Sequence, residues 1–196
     1  ETYQQAIPEF NGIRAFQQIP FQYSLHIEHK DKPLEHKEFL GNQGSDPREL
    51  LVKQLVSDIP LGATVLAFNA SFEQSVLKGL AEQFPKYKDH LQNISNNIVD
   101  LAIPFQKKYY YQSEMKGKFS IKIVLPLLVP EMEKAYDNLD LIHNGGEAMQ
   151  AFAVLAEKSN QDEIDRIRES LKRYCELDTL AMVKILDKLK RLDSYN

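Results

Sequence analysis

Four side chains of this sequence are candidates for holding divalent ions or moving protons. Glu1, Glu73 and Asp178 carry carboxylates, and Tyr174 precedes Asp178 by one helical turn. Carboxylate oxygens are the ligands that hard ions such as Mg²⁺ and Mn²⁺ prefer. A site built from these side chains would require a fold that brings together residues from the start, the middle and the end of the chain.

Asp178 interrupts the apolar face of a predicted helix near the C-terminus, within the segment Ser170 to Met182. The other positions of this face are Ile164, Ile167, Leu171, Tyr174, Ala181 and Ile185. Spacings of three and four predict the buried side of an amphipathic helix. A buried, unpaired carboxylate costs several kcal/mol or more, so Asp178 needs a cation, a strong hydrogen-bond donor or a water-filled cleft. A structural ion pair with a lysine or arginine is the alternative interpretation.

Glu73 lies where a buried strand is predicted to run into a helix. The apolar run Thr64 to Asn69 is typical of a central strand covered on both faces, and NASFE follows at its end. Ser71 and Gln74 predict a capping box, and Phe72, Val76, Leu80 and Phe84 are the predicted buried edge of the helix. An acid in the first turn also stabilises a helix by a few tenths to about 1 kcal/mol without any further role.

Three segments together resemble the motifs of the DnaQ-like 3′ to 5′ exonucleases. YCELD, which contains Tyr174 and Asp178, resembles the third motif of the subgroup that uses tyrosine. NASFE resembles the second motif, with Glu73 where aspartate is usual, and Glu1-Thr2 resembles the second half of an Asp-x-Glu-Thr first motif. The combination with IPFQYSLH also looks like an uncharacterised bacterial domain family that is often joined to an upstream nuclease-type region.

The resemblance implies a set of roles for these residues. Glu1, Glu73 and Asp178, with an acid two positions before Glu1, are expected to hold two Mg²⁺ or Mn²⁺ ions. Tyr174 is expected to orient the attacking water or help to deprotonate it, and Asn69 to support the site. The implied substrate is a single-stranded nucleic-acid end, and the sequence does not choose between DNA and RNA because no reader of the 2′-hydroxyl is recognisable.

A basic and aromatic segment, Gln106 to Lys122, is the predicted contact with the nucleic acid. Lysines neutralise phosphates and aromatic faces stack on unpaired bases. The expected substrate-binding residues, including two at the start of the second helix, are Asn69, Phe72, Lys107, Lys108, Tyr110, Ser120 and Lys122. The alternative is a solvated loop whose tyrosines pack against the core. Asp100, at the end of a predicted strand, is expected to cap a turn.

The order of the predicted elements indicates an α/β domain with a mixed sheet. The elements are a half-buried strand at Ile19 to His29, a hairpin partner at residues 34–41, a helix capped by Asp46, the strand and helix around Asn69, a strand at Asn97 to Phe105, and C-terminal helices. With the resemblance, this order predicts a ribonuclease-H-like mixed five-stranded sheet flanked by helices, with a truncated first strand. A Rossmann-like sheet would produce a similar pattern, but no glycine-rich phosphate loop follows the apolar strand.

Composition narrows the class of protein. The chain has 196 residues, 43% hydrophobic and 27% charged, with a net charge of −4 and a single cysteine, Cys175. We expect one domain over residues 1–196, cut from a longer protein, without an internal disulfide and located in the cytoplasm. No apolar run approaches the roughly 18 residues that cross a bilayer, so no membrane partner is expected. A non-catalytic nucleic-acid-binding or scaffolding module with the same fold is the second hypothesis.

Overall fold

The structure is a computed structural model and describes residues 1–193, which form a mixed α/β domain as the sequence predicts. The strands are β1 (Thr2–Tyr3), β2 (Ile19–Pro20), β3 (Gln22–Ile27), β4 (Glu35–Leu40), β5 (Val65–Ala67) and β6 (Ile98–Asp100). The helices are α1 (Arg48–Asp58), α2 (Ala70–Gln83), α3 (Lys88–Asn96), α4 (Ile103–Gln106), α5 (Ile121–Leu128), α6 (Gly145–Val154) and α7 (Gln161–Asp193). Short 3₁₀ turns lie at Pro85–Tyr87, Ser113–Met115, Pro130–Met132 and Leu155–Glu157.

The strands pair in three ladders. β1 and β2 are antiparallel, β3 and β4 form the predicted antiparallel hairpin, and β5 and β6 are parallel. Phe21 and Gln22 both lie opposite Glu1: their amides donate to the Glu1 oxygen at 3.0 and 3.5 Å, and the Glu1 nitrogen donates to the Gln22 oxygen at 2.7 Å. This is the hydrogen-bond pattern of a β-bulge, so β2 and β3 are one bent strand beside β1. Residues 1–193 do not pair into one continuous five-stranded sheet.

Helix α7 forms one side of the main core, and its predicted buried face is confirmed. Ile164, Leu171, Tyr174, Ala181 and Ile185 are at most 6% exposed. This face packs against β3, α5 and α6. The regular spacing of apolar residues therefore fixes which side of α7 is buried, and it places Asp178 on that side.

The strand predicted to be half-buried is covered on both faces. Its apolar side, with Tyr23 and Leu25, packs against a second core formed by α1, α2 and α3. The polar side is buried more deeply, with Gln22 at 2% and Ser24 at 6% exposure. The side-chain amide of Gln22 donates to the main-chain oxygen of Leu171 at 2.9 Å. This bond to α7 lets a polar side chain lie in the interior.

The start of α2 also differs from the prediction. Its N-cap is Asn69, in the left-handed conformation at φ 73°, and the predicted Ser71 capping box does not form. The buried side chains of the helix include Leu77, Leu80 and Ala81, whereas Phe72 is 43% exposed. No helix within residues 1–193 is both long enough and apolar enough to cross a membrane.

Candidate active site

Glu1, Glu73 and Asp178 line one groove of about 310 Å³. The groove lies between β3 and β5, with apolar side chains of α1 and α2 on one wall and α7 along the other. The fold therefore brings carboxylates from three distant parts of the sequence to one place. Among the described residues, these three carboxylates do not place one oxygen atom each within 4.8 Å of one another.

Two tyrosine side chains lie next to the carboxylate of Asp178. Tyr136 donates to Asp178 Oδ1 at 2.6 Å, and the phenol of Tyr174, one turn earlier on α7, also favours the ionised form of this carboxylate. Burial of the carboxyl group raises the pKa of Asp178, and the negative charge of Glu1 raises it further. The two phenols and the nearby ammonium of Lys122 oppose this rise without cancelling it. The ionised form of Asp178 is therefore disfavoured in the folded state.

Tyr136 is the residue of this site that the sequence did not reveal. It follows α5 in a turn with no periodic pattern, yet it is only 9% exposed. Burial raises the pKa of the phenols of Tyr136 and Tyr174 well above 10, and the charge of Asp178 adds to the rise. Both phenols are consequently protonated, so in this arrangement they act as hydrogen-bond donors.

Lys122 is part of the same cluster. Its ammonium group lies 4.8 Å from the ring centre of Tyr136 and 5.4 Å from that of Tyr174, and it donates to the main-chain oxygen of His143. A cation over aromatic faces is stabilised by about 0.5 to 2 kcal/mol. Lys122, predicted as a contact to substrate, is thus held beside the carboxylate of Asp178.

The carboxylate of Glu1 lies against the N-terminus of α6. A side-chain Cβ at Gly145 would lie 3.3 Å from Glu1 Oε2, so glycine at this position gives the carboxylate room. Asn144 caps the helix by accepting from the amide of Glu147 at 3.0 Å. The N-terminal end of a helix favours a negative charge. The bulge at the main chain of Glu1 and the start of α6 together position this side chain.

Glu73 and Asn69 lie where α2 begins, next to Asp100. The carboxylate of Asp100 accepts from the amides of Asn69 at 3.0 Å and Ala70 at 3.2 Å, which confirms its predicted capping role. Burial raises the pKa of Glu73, and the negative charges of Asp100 and Glu1 raise it further. A hydrogen bond between the Glu73 carboxylate and its own main chain acts in the opposite direction. Glu73 keeps access to solvent at the mouth of the groove.

Most of the predicted basic and aromatic segment is exposed, but its central tyrosine is half-buried and Met115 is buried. Lys107 and Lys108 are exposed, and the Lys108 ammonium lies 5.8 Å from the ring centre of Tyr111. The ring of Tyr110 instead packs edge-on against the core residue Phe105 at 5.8 Å. The aromatic faces open to solvent are Tyr109, 77% exposed, and Tyr111, 48% exposed.

Of two further predicted substrate contacts, Phe72 and Ser120, only Phe72 lines the groove. The exposed ring of Phe72 lines the groove beside Glu73, so it can meet a ligand there. Ser120 is exposed directly before α5 and makes no side-chain cap. The structure thus joins Phe72 to the carboxylates, whereas Ser120 stands outside the residues that line the groove.

Comparisons with known proteins identify a family and two relatives. Residues 1–120 match the family described as Domain of unknown function (DUF2779), which is more than half of the chain. Uncharacterized protein MG366 of Mycoplasma genitalium is 28% identical over all of this chain and 32% of its own length. Uncharacterized protein UU173 of Ureaplasma parvum is 27% identical over 75% of this chain and 24% of its own length. The chain thus spans about a third or less of these relatives, and no solved structure matches it.

Proposed function

The chain belongs to the DUF2779 family, and we propose that it is a metal-dependent 3′ to 5′ exonuclease domain acting on single-stranded ends. The observation that carries the proposal is the convergence of Glu1, Glu73 and Asp178 in one groove, with the phenol of Tyr174 beside Asp178. Acids in a groove whose pKa values are raised by burial, as those of Glu73 and Asp178 are, are typical of functional sites.

The donor set suits Mg²⁺ or Mn²⁺. All three candidate ligands offer carboxylate oxygens, and the groove that they line is open to solvent. A bound pair of such ions would supply an activated water and stabilise the leaving 3′ oxygen.

The neighbouring residues orient the carboxylates. Tyr136 donates to Asp178 and fixes the direction of its Oδ1, and the phenol of Tyr174 lies beside the same carboxylate. Because the phenol of Tyr174 is protonated, its role in the proposal is to position the carboxylate and a water molecule by donation. Gly145 leaves space for the carboxylate of Glu1.

The proposal includes a ribonuclease-H-like five-stranded sheet in the longer polypeptide. The open edges of β3 and β5 flank the groove, and the Glu1 nitrogen already donates into the ladder at Gln22. Residues that precede Glu1 would extend β1 along β3 and into the groove between β3 and β5. The acid expected two positions before Glu1 would then lie on this central strand. The apolar wall formed by α1 and α2 would be covered by the other face of the strand.

The proposed substrate path starts at the exposed tyrosines. Tyr109 and Tyr111, with Lys107 and Lys108, offer aromatic faces and positive charge to a single strand. Each base stacked on an aromatic ring contributes about 1 to 3 kcal/mol. Replacing Tyr109 and Tyr111 by alanine should therefore weaken binding of a single-stranded oligonucleotide by at least about tenfold. Fluorescence anisotropy measures this, with Tyr87→Ala, in the turn before α3, as the matched aromatic control.

The test of activity uses the polypeptide extended upstream through its natural first strand. Single-stranded DNA and RNA, labelled at the 5′ end, are incubated with Mn²⁺, with Mg²⁺ and with EDTA. We expect a ladder that shortens from the 3′ end, whereas circular single-stranded DNA stays intact. Asp178→Asn should abolish the ladder, and Asp187→Asn, a second aspartate on α7, should keep it.

The outcomes separate the exonuclease from the second candidate. Cleavage that survives Asp178→Asn, or that cuts the circular substrate, would refute the proposed mechanism. Binding without cleavage by the folded, extended protein would instead favour a non-catalytic nucleic-acid-binding module. Glu73 in place of aspartate is the sequence feature that favours this second candidate. An apolar residue two positions before Glu1 would favour it as well.

A further inference from the structure

A second group of metal-binding side chains lies on the hairpin and α7. His26 and His36 face each other across β3 and β4, with ring centres 4.7 Å apart. Glu176 on α7 approaches them, and its Oε1 is 3.9 Å from His36 Nδ1. One ligand atom from each of the three residues lies within 4.8 Å of the others. None of the three belongs to the carboxylate set in the groove.

A chain of hydroxyl groups fixes both imidazole rings. Thr179 Oγ1 is 3.1 Å from the main-chain oxygen of Glu176, 2.8 Å from Ser24 Oγ and 2.8 Å from His26 Nδ1. Ser24 Oγ is 2.8 Å from His36 Nε2. When the hydroxyl of Thr179 donates to the main-chain oxygen of Glu176, its oxygen is free to accept from Ser24 and from His26 Nδ1–H. The hydroxyl oxygen of Ser24 then accepts from His36 Nε2–H.

This assignment determines which nitrogens remain for a ligand. With His26 Nδ1 and His36 Nε2 as donors, the lone pairs are on His26 Nε2 and on His36 Nδ1, which faces Glu176. Metal-binding histidines in proteins nearly always donate their other N–H to a fixed partner, which sets the tautomer and the ring orientation. Ser24 and Thr179 provide such partners on two different elements.

We propose that His26, His36 and Glu176 bind a divalent transition-metal ion of the Zn²⁺ class, with an open fourth position. Two imidazoles and a carboxylate are ligands that Zn²⁺ accepts, whereas Mg²⁺ prefers oxygen ligands. Zn–N and Zn–O distances of about 2.0 to 2.2 Å require any two ligand atoms to lie within about 4.4 Å of each other. The candidate ligand atoms lie within 4.8 Å of one another. A small rotation of the exposed Glu176 side chain would therefore complete the site.

A bound ion would join β3, β4 and α7. Glu176 and Asp178 are two positions apart on α7, so their side chains point about 200° apart around the helix axis. The two sites therefore share a helix but no ligand.

The test is calorimetric titration of the protein with Zn²⁺ in the presence of excess Mg²⁺. We expect about one equivalent of Zn²⁺ to bind and to raise the melting temperature. His26→Gln, His36→Gln and Glu176→Gln should each weaken binding at least about tenfold. Thr179→Val should weaken it about 10- to 100-fold by removing the partner that orients His26. Substitution with Co²⁺ should give the visible absorption of a low-coordinate nitrogen and oxygen site.

Two controls separate this site from the proposed active site. His29→Gln removes another histidine of the same hairpin, which bonds Glu35 at 2.8 Å, and should leave Zn²⁺ binding unchanged. Asp178→Asn should also leave it unchanged while abolishing nuclease activity. No saturable Zn²⁺ binding by the folded wild type would overturn the inference. So would binding that persists in folded His26→Gln and His36→Gln variants.

Discussion

Replacing Asp178 by asparagine should make the domain more stable at neutral pH while removing the proposed activity. The raised pKa of Asp178 means that its ionised form is disfavoured in the folded state by burial and by Glu1. The hydroxyls of Tyr136 and Tyr174 reduce this cost without removing it. An asparagine keeps an oxygen for the Tyr136 hydroxyl but carries no charge.

The magnitude follows from linkage between protonation and folding. Each unit by which folding raises the pKa of an acid costs about 1.4 kcal/mol of stability when the acid is ionised. We expect Asp178→Asn to gain of the order of 1 kcal/mol in the free energy of unfolding at pH 7. The cost is fully present above the raised pKa of the folded state. It shrinks as the pH falls and vanishes below the ordinary value of 3.8.

Urea unfolding at pH 7 and pH 5, followed by circular dichroism, measures this gain. The advantage of Asp178→Asn over the wild type should be largest at pH 7 and smaller at lower pH. Asp187→Asn on the same helix is the control and should show no such pH-dependent gain. Adding Mg²⁺ or Mn²⁺ should stabilise the wild type and reduce the difference. A variant that is less stable than the wild type at pH 7 would refute the reasoning, because Asp178 would then be a structural acid.

Three further substitutions test individual contacts. Tyr136→Phe removes the 2.6 Å hydrogen bond to Asp178. The free energy of unfolding in urea should fall by about 1.5 to 3 kcal/mol. The nuclease rate should fall as well. Gly145→Ala would place a Cβ atom 3.3 Å from Glu1 Oε2 and should displace the Glu1 carboxylate. The rate of cleavage of the labelled oligonucleotide should fall. Thermal stability should change little, because alanine favours the helix. Arg48→Ala should cost about 3 kcal/mol by the same unfolding assay, since this side chain is 5% exposed and bonded to three chain segments. Unchanged stability of the Arg48 variant, or unchanged rates of the other two, would contradict these assignments.

Periodicity predicted the parts of the fold in which apolar side chains alone decide burial. The spacing of three and four along α7 correctly identified its buried face, and with it the position of Asp178. The apolar run around Val65 correctly identified a strand that enters a helix at Asn69. In both cases the hydrophobic effect on one element determines the outcome, so one sequence window contains enough information.

Contacts between distant segments were not predictable in this way. Gln22 and Ser24 appear solvent-facing in a strand that alternates, yet α7, nearly 150 residues later in the chain, covers them and bonds Gln22. The Ser71 capping box was wrong because Asp100 on the neighbouring strand takes the first amides of α2. Tyr136 had no local signal because its importance depends on its partner in α7.

Glu73 lies in the first turn of α2, where an acid can serve only to stabilise the helix. The carboxylate of Asp100 already accepts hydrogen bonds from the amides of Asn69 and Ala70 at this end of α2. Burial raises the pKa of Glu73, and the charges of Asp100 and Glu1 raise it further. Under the proposed function, a cation in the groove would favour the ionised forms of Glu73 and Asp178, since both carboxylates line that groove.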